Sequence, residues 1–142
     1  MVLNMVYTIE QVLCQKANIA SLKLVDKDDI IYYYQGEYNN NNLNGYGKLW
    51  NNFYSYNGYF KNNKFNGNGI YKYIGPKEEL NDKMVIYYEG SYLNNNKNGS
   101  GYEKYFNKDY YKGNFINDNR HGKGCLFNKN GEIKLDTIWD MG

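Results

Sequence analysis

The sequence is poor in the residues that build metal, redox and nucleophilic sites. Its 142 residues include two cysteines, one histidine and one proline. Cys14 and Cys125 lie far apart and show no metal-ligand spacing, so they indicate neither a zinc site nor a disulfide framework. The segment with Asp26, Asp28 and Asp29 begins like a calcium-binding loop, but it lacks the glycine and the distal glutamate of such a loop. We expect no metal ion, no cofactor and a reducing, cytoplasmic location.

The sequence also lacks a recognisable catalytic motif. His121 lies in the turn-like segment 120–124 without an acid–base partner, and neither cysteine falls in a signature that pairs it with histidine. Gly67-Asn-Gly69 and Gly99-Ser-Gly101 are not followed by Gly-Lys-Ser/Thr or by the third glycine of a dinucleotide fingerprint. The sequence therefore predicts that the protein is not an enzyme and has no catalytic residues.

Neither charge nor hydropathy indicates a nucleic-acid surface or a membrane span. The net charge is +2, and the basic residues are spread along the chain, so the basic patch that binds nucleic acid is missing. No stretch approaches the roughly 18 apolar residues of a membrane-spanning helix. The first residues lack the basic region and apolar core of a leader, and Val2 stands where myristoylation requires glycine. We expect any membrane contact to be peripheral.

Tyrosine and glycine are the residues that the sequence has in excess. It contains 18 tyrosines and 15 glycines, a mixture that favours strands and tight turns over helices. Clusters of asparagine, such as residues 39–42 and 94–96, fall between regularly spaced aromatic residues. These clusters are therefore interpreted as turns in an ordered, all-β chain.

An internal repeat is the strongest signal in the sequence. Four segments follow the pattern Tyr-x-Gly-x-aromatic, and each is followed by Gly-x-Gly at a fixed distance. The segments are 34–38, 56–60, 88–92 and 111–115, and their glycine pairs are Gly45 and Gly47, Gly67 and Gly69, Gly99 and Gly101, and Gly122 and Gly124. The repeats start 22, 32 and 23 residues apart, so the second interval is about ten residues longer. We interpret residues 74–85 as an inserted loop.

Each repeat is predicted to form one β-hairpin. Positions i, i+2 and i+4 of a strand lie on one face, so the tyrosine, the glycine and the second aromatic residue of each repeat share a face. The glycine leaves space for an aromatic ring from a neighbouring strand. The Asn-rich turns tolerate positive φ, and Gly-x-Gly opens the return strand.

This pattern resembles the MORN (membrane occupation and recognition nexus) repeat family, and it extends over about residues 34–142. Tyr or Phe stands at the second aromatic position, where the family usually has Trp, and Glu103 stands where Leu49 and Tyr71 indicate an apolar position. The resemblance implies an elongated, single-layer antiparallel sheet of consecutive hairpins. Leu135 to Trp139 keeps the aromatic residue of a fifth repeat without its Tyr and Gly, as expected of a terminal half-repeat.

The segment before the array, residues 1–33, shows a different pattern. Thr8 to Gln11 matches a helix capping box, and the apolar residues that follow have helical spacing. The sequence predicts a short helix over about residues 8–21. Residues 22–25 and 30–34 are then expected to form a degenerate first hairpin.

The aromatic face of the array suggests a binding groove. About nine or ten strands spaced roughly 4.8 Å apart give a sheet about 45 Å long, whereas a helix of about 14 residues is only about 21 Å long. A single layer must bury its apolar face against something, and large exposed apolar patches mark interaction sites. The residues predicted to line a partner-binding groove are Tyr34, Tyr38, Tyr56, Phe60, Tyr88, Tyr92, Tyr111, Phe115 and Trp139.

Two functions remain open from the sequence. The first is an adaptor or scaffold that binds an apolar helix or extended segment of a protein partner, or a second copy of the chain. Similar proteins are often organisers of membrane-apposed cytoskeleton, so the resemblance also implies a location peripheral to membrane or cytoskeleton. The alternative is peripheral binding to anionic phospholipids through a basic edge. The residues of that edge are Lys61, Lys64, Lys97, Arg120 and Lys123.

Overall fold

The chain folds into one open antiparallel sheet. The computed structural model describes residues 7–140, where eleven strands each pair with the next strand along the sequence. The strands are β1 (Tyr7–Lys16), β2 (Ile19–Asp26), β3 (Ile31–Asn39), β4 (Asn42–Trp50), β5 (Tyr54–Lys61), β6 (Lys64–Tyr73), β7 (Val85–Leu93), β8 (Asn96–Tyr105), β9 (Tyr110–Ile116), β10 (Asn119–Phe127) and β11 (Ile133–Trp139). The prediction of an all-β, single-layer antiparallel sheet is confirmed. The first residues, expected to hold neither a leader nor a myristoylation site, lie outside the described residues.

The predicted N-terminal helix is wrong, because residues 7–26 form the hairpin of β1 and β2. Strand β1 contains two irregularities in its pairing with β2, one between Ile9 and Gln11 and one between Val12 and Cys14. Each bulge adds a residue to the strand and shifts its alternation, so the apolar residues acquire a spacing that imitates a helix. The next hairpin is present as expected, with Leu22 of β2 opposite Tyr34 of β3.

Two-residue turns close the four hairpins of the array. Their central residues are Asn40-Asn41, Asn62-Asn63, Asn94-Asn95 and Asn117-Asp118, all with φ between 47° and 73°. Positive φ at both central positions is the requirement of a type I′ turn, whose twist matches that of the flanking strands. Asparagine and aspartate adopt this conformation more readily than other non-glycine residues, which explains the asparagine clusters.

A row of glycines crosses the sheet from β3 to β10. Gly36, Gly47, Gly58, Gly69, Gly90, Gly101, Gly113 and Gly124 are cross-strand partners in succession. Pairing irregularities directly follow Gly36, Gly58 and Gly90 in β3, β5 and β7. Such bulges bend a strand and increase its twist. The sheet therefore curves along this row, and the curvature defines an inner and an outer face.

The inner face holds the core of the molecule. Ala20, Leu22 and Leu24 of β2 are buried there with the aromatic residues of the repeats. Because the described residues form a single layer, these side chains are buried against one another and against the strands beneath them.

The loop between β6 and β7 contains one 3-10 turn (Lys77–Glu79). Backbone hydrogen bonds tie it to its neighbours: Ile74 donates to Phe53 at 2.8 Å, and Phe106 donates to Met84 at 2.9 Å. The loop therefore lies against the β4–β5 and β8–β9 connections. Within residues 7–140, no helix has the length and apolar character needed to cross a membrane.

Candidate binding surfaces

The aromatic residues of successive repeats interlock on the inner face. The second aromatic ring of each repeat packs edge-on against the tyrosine of the repeat before it. The ring centroids are 5.3 Å apart for Tyr34–Phe60, 5.4 Å for Tyr56–Tyr92, 5.3 Å for Tyr88–Phe115 and 5.6 Å for Tyr111–Trp139. Edge-to-face contacts of this kind each contribute about 0.5–1.5 kcal/mol beyond the burial of area. We call these eight residues the aromatic zipper.

Glycine makes room for each zipper tyrosine. A Cβ atom added to Gly69 would lie 2.3 Å from the Tyr56 ring, and one added to Gly58 would lie 2.6 Å from the Tyr56 hydroxyl. The ring therefore lies directly on the backbone of the glycine row. The Tyr56 hydroxyl donates a hydrogen bond to the carbonyl oxygen of Tyr59 at 2.8 Å. Tyr34, Tyr88 and Tyr111 make the equivalent bond at 2.5, 2.8 and 3.0 Å.

The zipper is sealed by the chain itself. Eight of the nine residues predicted to line a groove are at most 6% exposed, and Trp139 is partly buried. The expectation that these rings remain open to a partner is wrong. Rings of successive repeats cover one another and lie against the glycine row, so the face is buried without a second layer.

Burial controls the ionisation of the inner tyrosines. It raises the pKa of Tyr34, Tyr56 and Tyr88 above the ordinary phenol value. It also raises the pKa of Tyr32 to about 12, with a smaller contribution from the negative charge of Asp26. These inner tyrosines therefore stay uncharged at neutral pH.

Turn residues also join one repeat to the next, a role that sequence reasoning missed. The Asn95 side chain accepts a hydrogen bond from the Phe65 amide at 2.9 Å, while the Asn95 amide donates to the Phe65 carbonyl at 3.0 Å. Asp118 makes the same pair of bonds with Lys97, at 2.8 and 3.0 Å. An Asn or Asp at the second turn position in every repeat was the available signal.

Lys97 was predicted to lie on a basic edge, and this prediction is wrong. The residue is buried in the third repeat. Its ammonium group forms an ion pair with Glu103, and the two residues are 7% and 5% exposed. The ammonium also lies 5.4 Å from the ring centroid of Tyr88. The Tyr105 hydroxyl donates a hydrogen bond to Glu103 at 2.6 Å. Glu103 thus occupies an apolar position of the repeat because Lys97 supplies its counter-charge.

Arg120 is also withdrawn from the predicted basic edge. Its Nε and Nη2 atoms donate to the Tyr105 hydroxyl at 3.1 and 2.7 Å. Its guanidinium carbon lies 4.7 Å from the ring centroid of Trp139 and 5.3 Å from that of Tyr111. Lys61, Lys64 and Lys123 are exposed, so only three of the five predicted residues remain available to a lipid surface.

One cluster of exposed apolar residues lies instead at the start of β3 and in the neighbouring connections. Ile30, Ile31, Tyr33 and Phe53 line an open cleft between the β2–β3 and β4–β5 connections, and they are 37–44% exposed. We call this the rim cleft. Ile74 extends it, because its amide bonds to Phe53 and its side chain is 52% exposed. The predicted groove residues are absent from its lining.

Comparison with known proteins agrees with the repeat geometry. The MORN repeat family model matches residues 34–52, 56–74, 88–110 and 111–133, which together make up more than half of the chain. No curated protein matches the sequence. The matched stretches begin at the four zipper tyrosines.

Proposed function

The chain belongs to the MORN repeat family, and we propose on that basis that it acts as a non-catalytic adaptor that binds a segment of another protein. Family membership is consistent with a binding role. The observation that carries the proposal is the rim cleft, where four large apolar side chains from the start of β3 and the neighbouring connections remain exposed. Contiguous exposed apolar surface on a folded protein marks sites of interaction.

The rim cleft favours a short apolar segment of a partner, either a helix or an extended chain. Ile30, Ile31 and Phe53 supply aliphatic and aromatic contacts, while Asn51, Asn52 and Asp29 border the cleft with polar groups. An apolar centre with a polar border is the usual anatomy of a protein interface. The sealed zipper then acts as a rigid support for the cleft.

Substitution of the cleft tests this proposal. The double variant Ile31→Asp/Phe53→Asp places two charges in the cleft, whereas Ile133→Asp/Ile138→Asp makes the same change at residues of β11 that are 62% and 74% exposed. Affinity purification with the wild-type chain identifies partners, and calorimetry with the purified partner measures binding. We expect the cleft variant to bind at least about tenfold more weakly and the β11 variant to bind like wild type. Equal affinity of the cleft variant and wild type would contradict the proposal.

Binding to anionic lipid is the second proposal, and Lys61, Lys64 and Lys123 support it because they are exposed. Flotation with phosphatidylserine vesicles at low and physiological salt tests it. Binding by these charges must weaken as salt rises, and it must be lost in the triple Lys→Gln variant. Failure to float at low salt would rule this proposal out.

A further inference from the structure

The buried polar cluster of the last two repeats carries an unbalanced positive charge. Two residues before the first glycine of Gly-x-Gly, the four repeats have Leu43, Phe65, Lys97 and Arg120. Leu43 and Phe65 are buried apolar residues, so a cation has replaced an apolar side chain in the third and fourth repeats. Glu103 compensates Lys97. Among residues 7–140, no carboxylate lies within ion-pair distance of Arg120.

Arg120 is fixed in position and still has N–H donors that bond to no side chain among the described residues. Two of its N–H groups bond to the Tyr105 hydroxyl, and a guanidinium has five. The rings of Tyr105, Tyr111 and Trp139 fix its position at 4.7–5.3 Å. A guanidinium that is already fixed loses less conformational freedom when it binds an anion.

An open cavity lies beside Arg120. Its volume is about 290 Å³, and its charged lining residues are Lys83, Arg120, Lys134 and Asp109. Asp109 is paired with Lys134 at 2.8 Å, and this bond lowers the pKa of the Asp109 carboxyl group. These two charges cancel, so Lys83 and Arg120 give the cavity a net positive charge.

We propose that this cavity receives the carboxylate of an aspartate or glutamate side chain from the partner segment. The remaining N–H groups of Arg120 suit a planar carboxylate. Leu126 and the Tyr105 ring supply apolar lining for the methylene groups of such a side chain. The cavity is near the lower limit of ligand sites, which suits one side chain better than a large ligand. The inference rests on the proposed adaptor function, because the carboxylate belongs to the bound protein.

A peptide is favoured over a membrane by the position of the cavity. Tyr105 and Leu126 belong to the inner face, where they lie opposite Val85 and Tyr111 in the neighbouring strands. A protruding side chain can enter a recess on the concave side of a curved sheet, whereas the headgroups of a flat bilayer contact convex surfaces and rims more readily.

Nuclear magnetic resonance can test the cavity without the partner. Arg120 is the only arginine in the sequence, so its Nε–H signal is unambiguous. The probe is N-acetyl-glutamate N-methylamide, and the corresponding glutamine amide is its neutral control. We expect the glutamate probe to shift the Arg120 and Trp139 side-chain signals saturably, with no change in the Trp50 indole signal. An unmoved Arg120 signal, or equal shifts with the glutamine amide, would overturn the inference.

Variants define the recognising groups, with the Trp139 indole as the reporter. Lys83→Gln should weaken binding about threefold, and Arg120→Gln should abolish it. Lys16→Gln, which removes an exposed charge on β1, should leave it unchanged. Arg120→Lys keeps the positive charge and should fold, because Lys97 occupies the equivalent position of the third repeat. Its affinity for the probe should lie between those of wild type and Arg120→Gln. Equal effects of Lys83→Gln and Lys16→Gln would show only a general attraction between charges and would contradict a specific site.

Two further outcomes separate this inference from a phosphate site and from the proposed rim cleft. If inorganic phosphate shifts the Arg120 signal at lower concentration than the glutamate probe does, the site is a phosphate site and the carboxylate assignment is wrong. The variant Ile31→Asp/Phe53→Asp should bind the probe normally. Probe binding together with an intact partner affinity in that variant would therefore disprove the rim cleft and retain the cavity.

Discussion

Each zipper tyrosine combines three interactions at the scale of a single residue. Tyr56 lies on the glycine row, packs edge-on against Phe60 and Tyr92, and bonds through its hydroxyl to a backbone carbonyl. It also stacks on Phe65, with centroids 3.6 Å apart. Because interiors are close-packed, the glycine opposite this ring is as constrained as the ring itself.

The variant Gly69→Ala tests this steric constraint. The added methyl group would lie 2.3 Å from the Tyr56 ring, and overpacking of this kind costs about 2–3 kcal/mol. In a Tyr56→Leu background the same change should cost much less, because the ring is gone. Urea unfolding of the four proteins in this double-mutant cycle measures the coupling. Additive effects would show that Gly69 is not required for the ring.

The Lys97–Glu103 pair is a second residue-scale feature with a testable energy. Removing one partner of a buried ion pair costs about 3–5 kcal/mol, whereas replacing both with apolar residues is often neutral or stabilising. Lys97→Phe and Glu103→Tyr reproduce Phe65 and Tyr71 of the second repeat. We expect each single variant to be strongly destabilised and the double variant to be at least as stable as wild type. Urea unfolding checks this, and an additive double variant would contradict it.

The type I′ hairpin is the element that repeats, and its turn makes the connection between neighbours. The second turn residue needs a positive φ and a side-chain acceptor at once, which explains why Asn and Asp occupy it. Glycine would satisfy the first requirement only. The Asn95 bonds to Phe65 therefore make the turn part of the interface between the second and third repeats.

Substitution of Asn95 separates these two requirements. Asn95→Gly keeps the turn and loses the side-chain acceptor, at a cost of about 1 kcal/mol. Asn95→Ala loses both and should cost more, because a positive φ is unfavourable for alanine. Asn95→Asp copies Asp118 and should be nearly neutral. Thermal unfolding ranks the variants, and equal stability of the Gly and Asp variants would show that the acceptor is unimportant.

The elements of the array and the hairpin of β2 and β3 before it could be predicted from sequence, whereas β1 could not. The Tyr, Gly and Asn positions predict hairpins because strand alternation and turn conformation are local properties. The β1 strand escaped prediction because two bulges disturb its alternation. The ion pair of Glu103 with Lys97 was not predicted, because Lys97 was assigned to a basic edge. The two changes occur on the same strand of the third repeat, six residues apart and both buried, and that coincidence was the missed signal.

At the scale of the whole molecule, the interior of this single layer consists largely of tyrosine. The rings of one repeat are covered by rings of the next repeat, and the sequence of a single repeat does not show this packing. The sealing of the predicted groove could therefore not be foreseen.

A tyrosine-rich interior predicts loss of stability at high pH. Buried phenols such as Tyr56, Tyr88 and Tyr92 keep their protons to a higher pH than the phenols of the unfolded chain, whose pKa is about 10. Stability is therefore fully present below about pH 10 and falls as the pH rises above it, since the unfolded chain then releases more protons. Circular dichroism together with tyrosinate absorbance should show unfolding and ionisation in one cooperative step. Gradual ionisation of these phenols without unfolding would contradict the prediction.

The central structural feature is a zipper of aromatic rings that the chain itself closes to solvent. Hydroxyl-radical footprinting with mass spectrometry measures this directly, one side chain at a time. We expect slow oxidation of Tyr34, Tyr56, Tyr88 and Tyr111, which are at most 1% exposed, and fast oxidation of Tyr46 and Tyr59, which are 53% and 49% exposed. Oxidation of the zipper tyrosines as fast as Tyr46 and Tyr59 would contradict the account and restore the open groove as the binding surface.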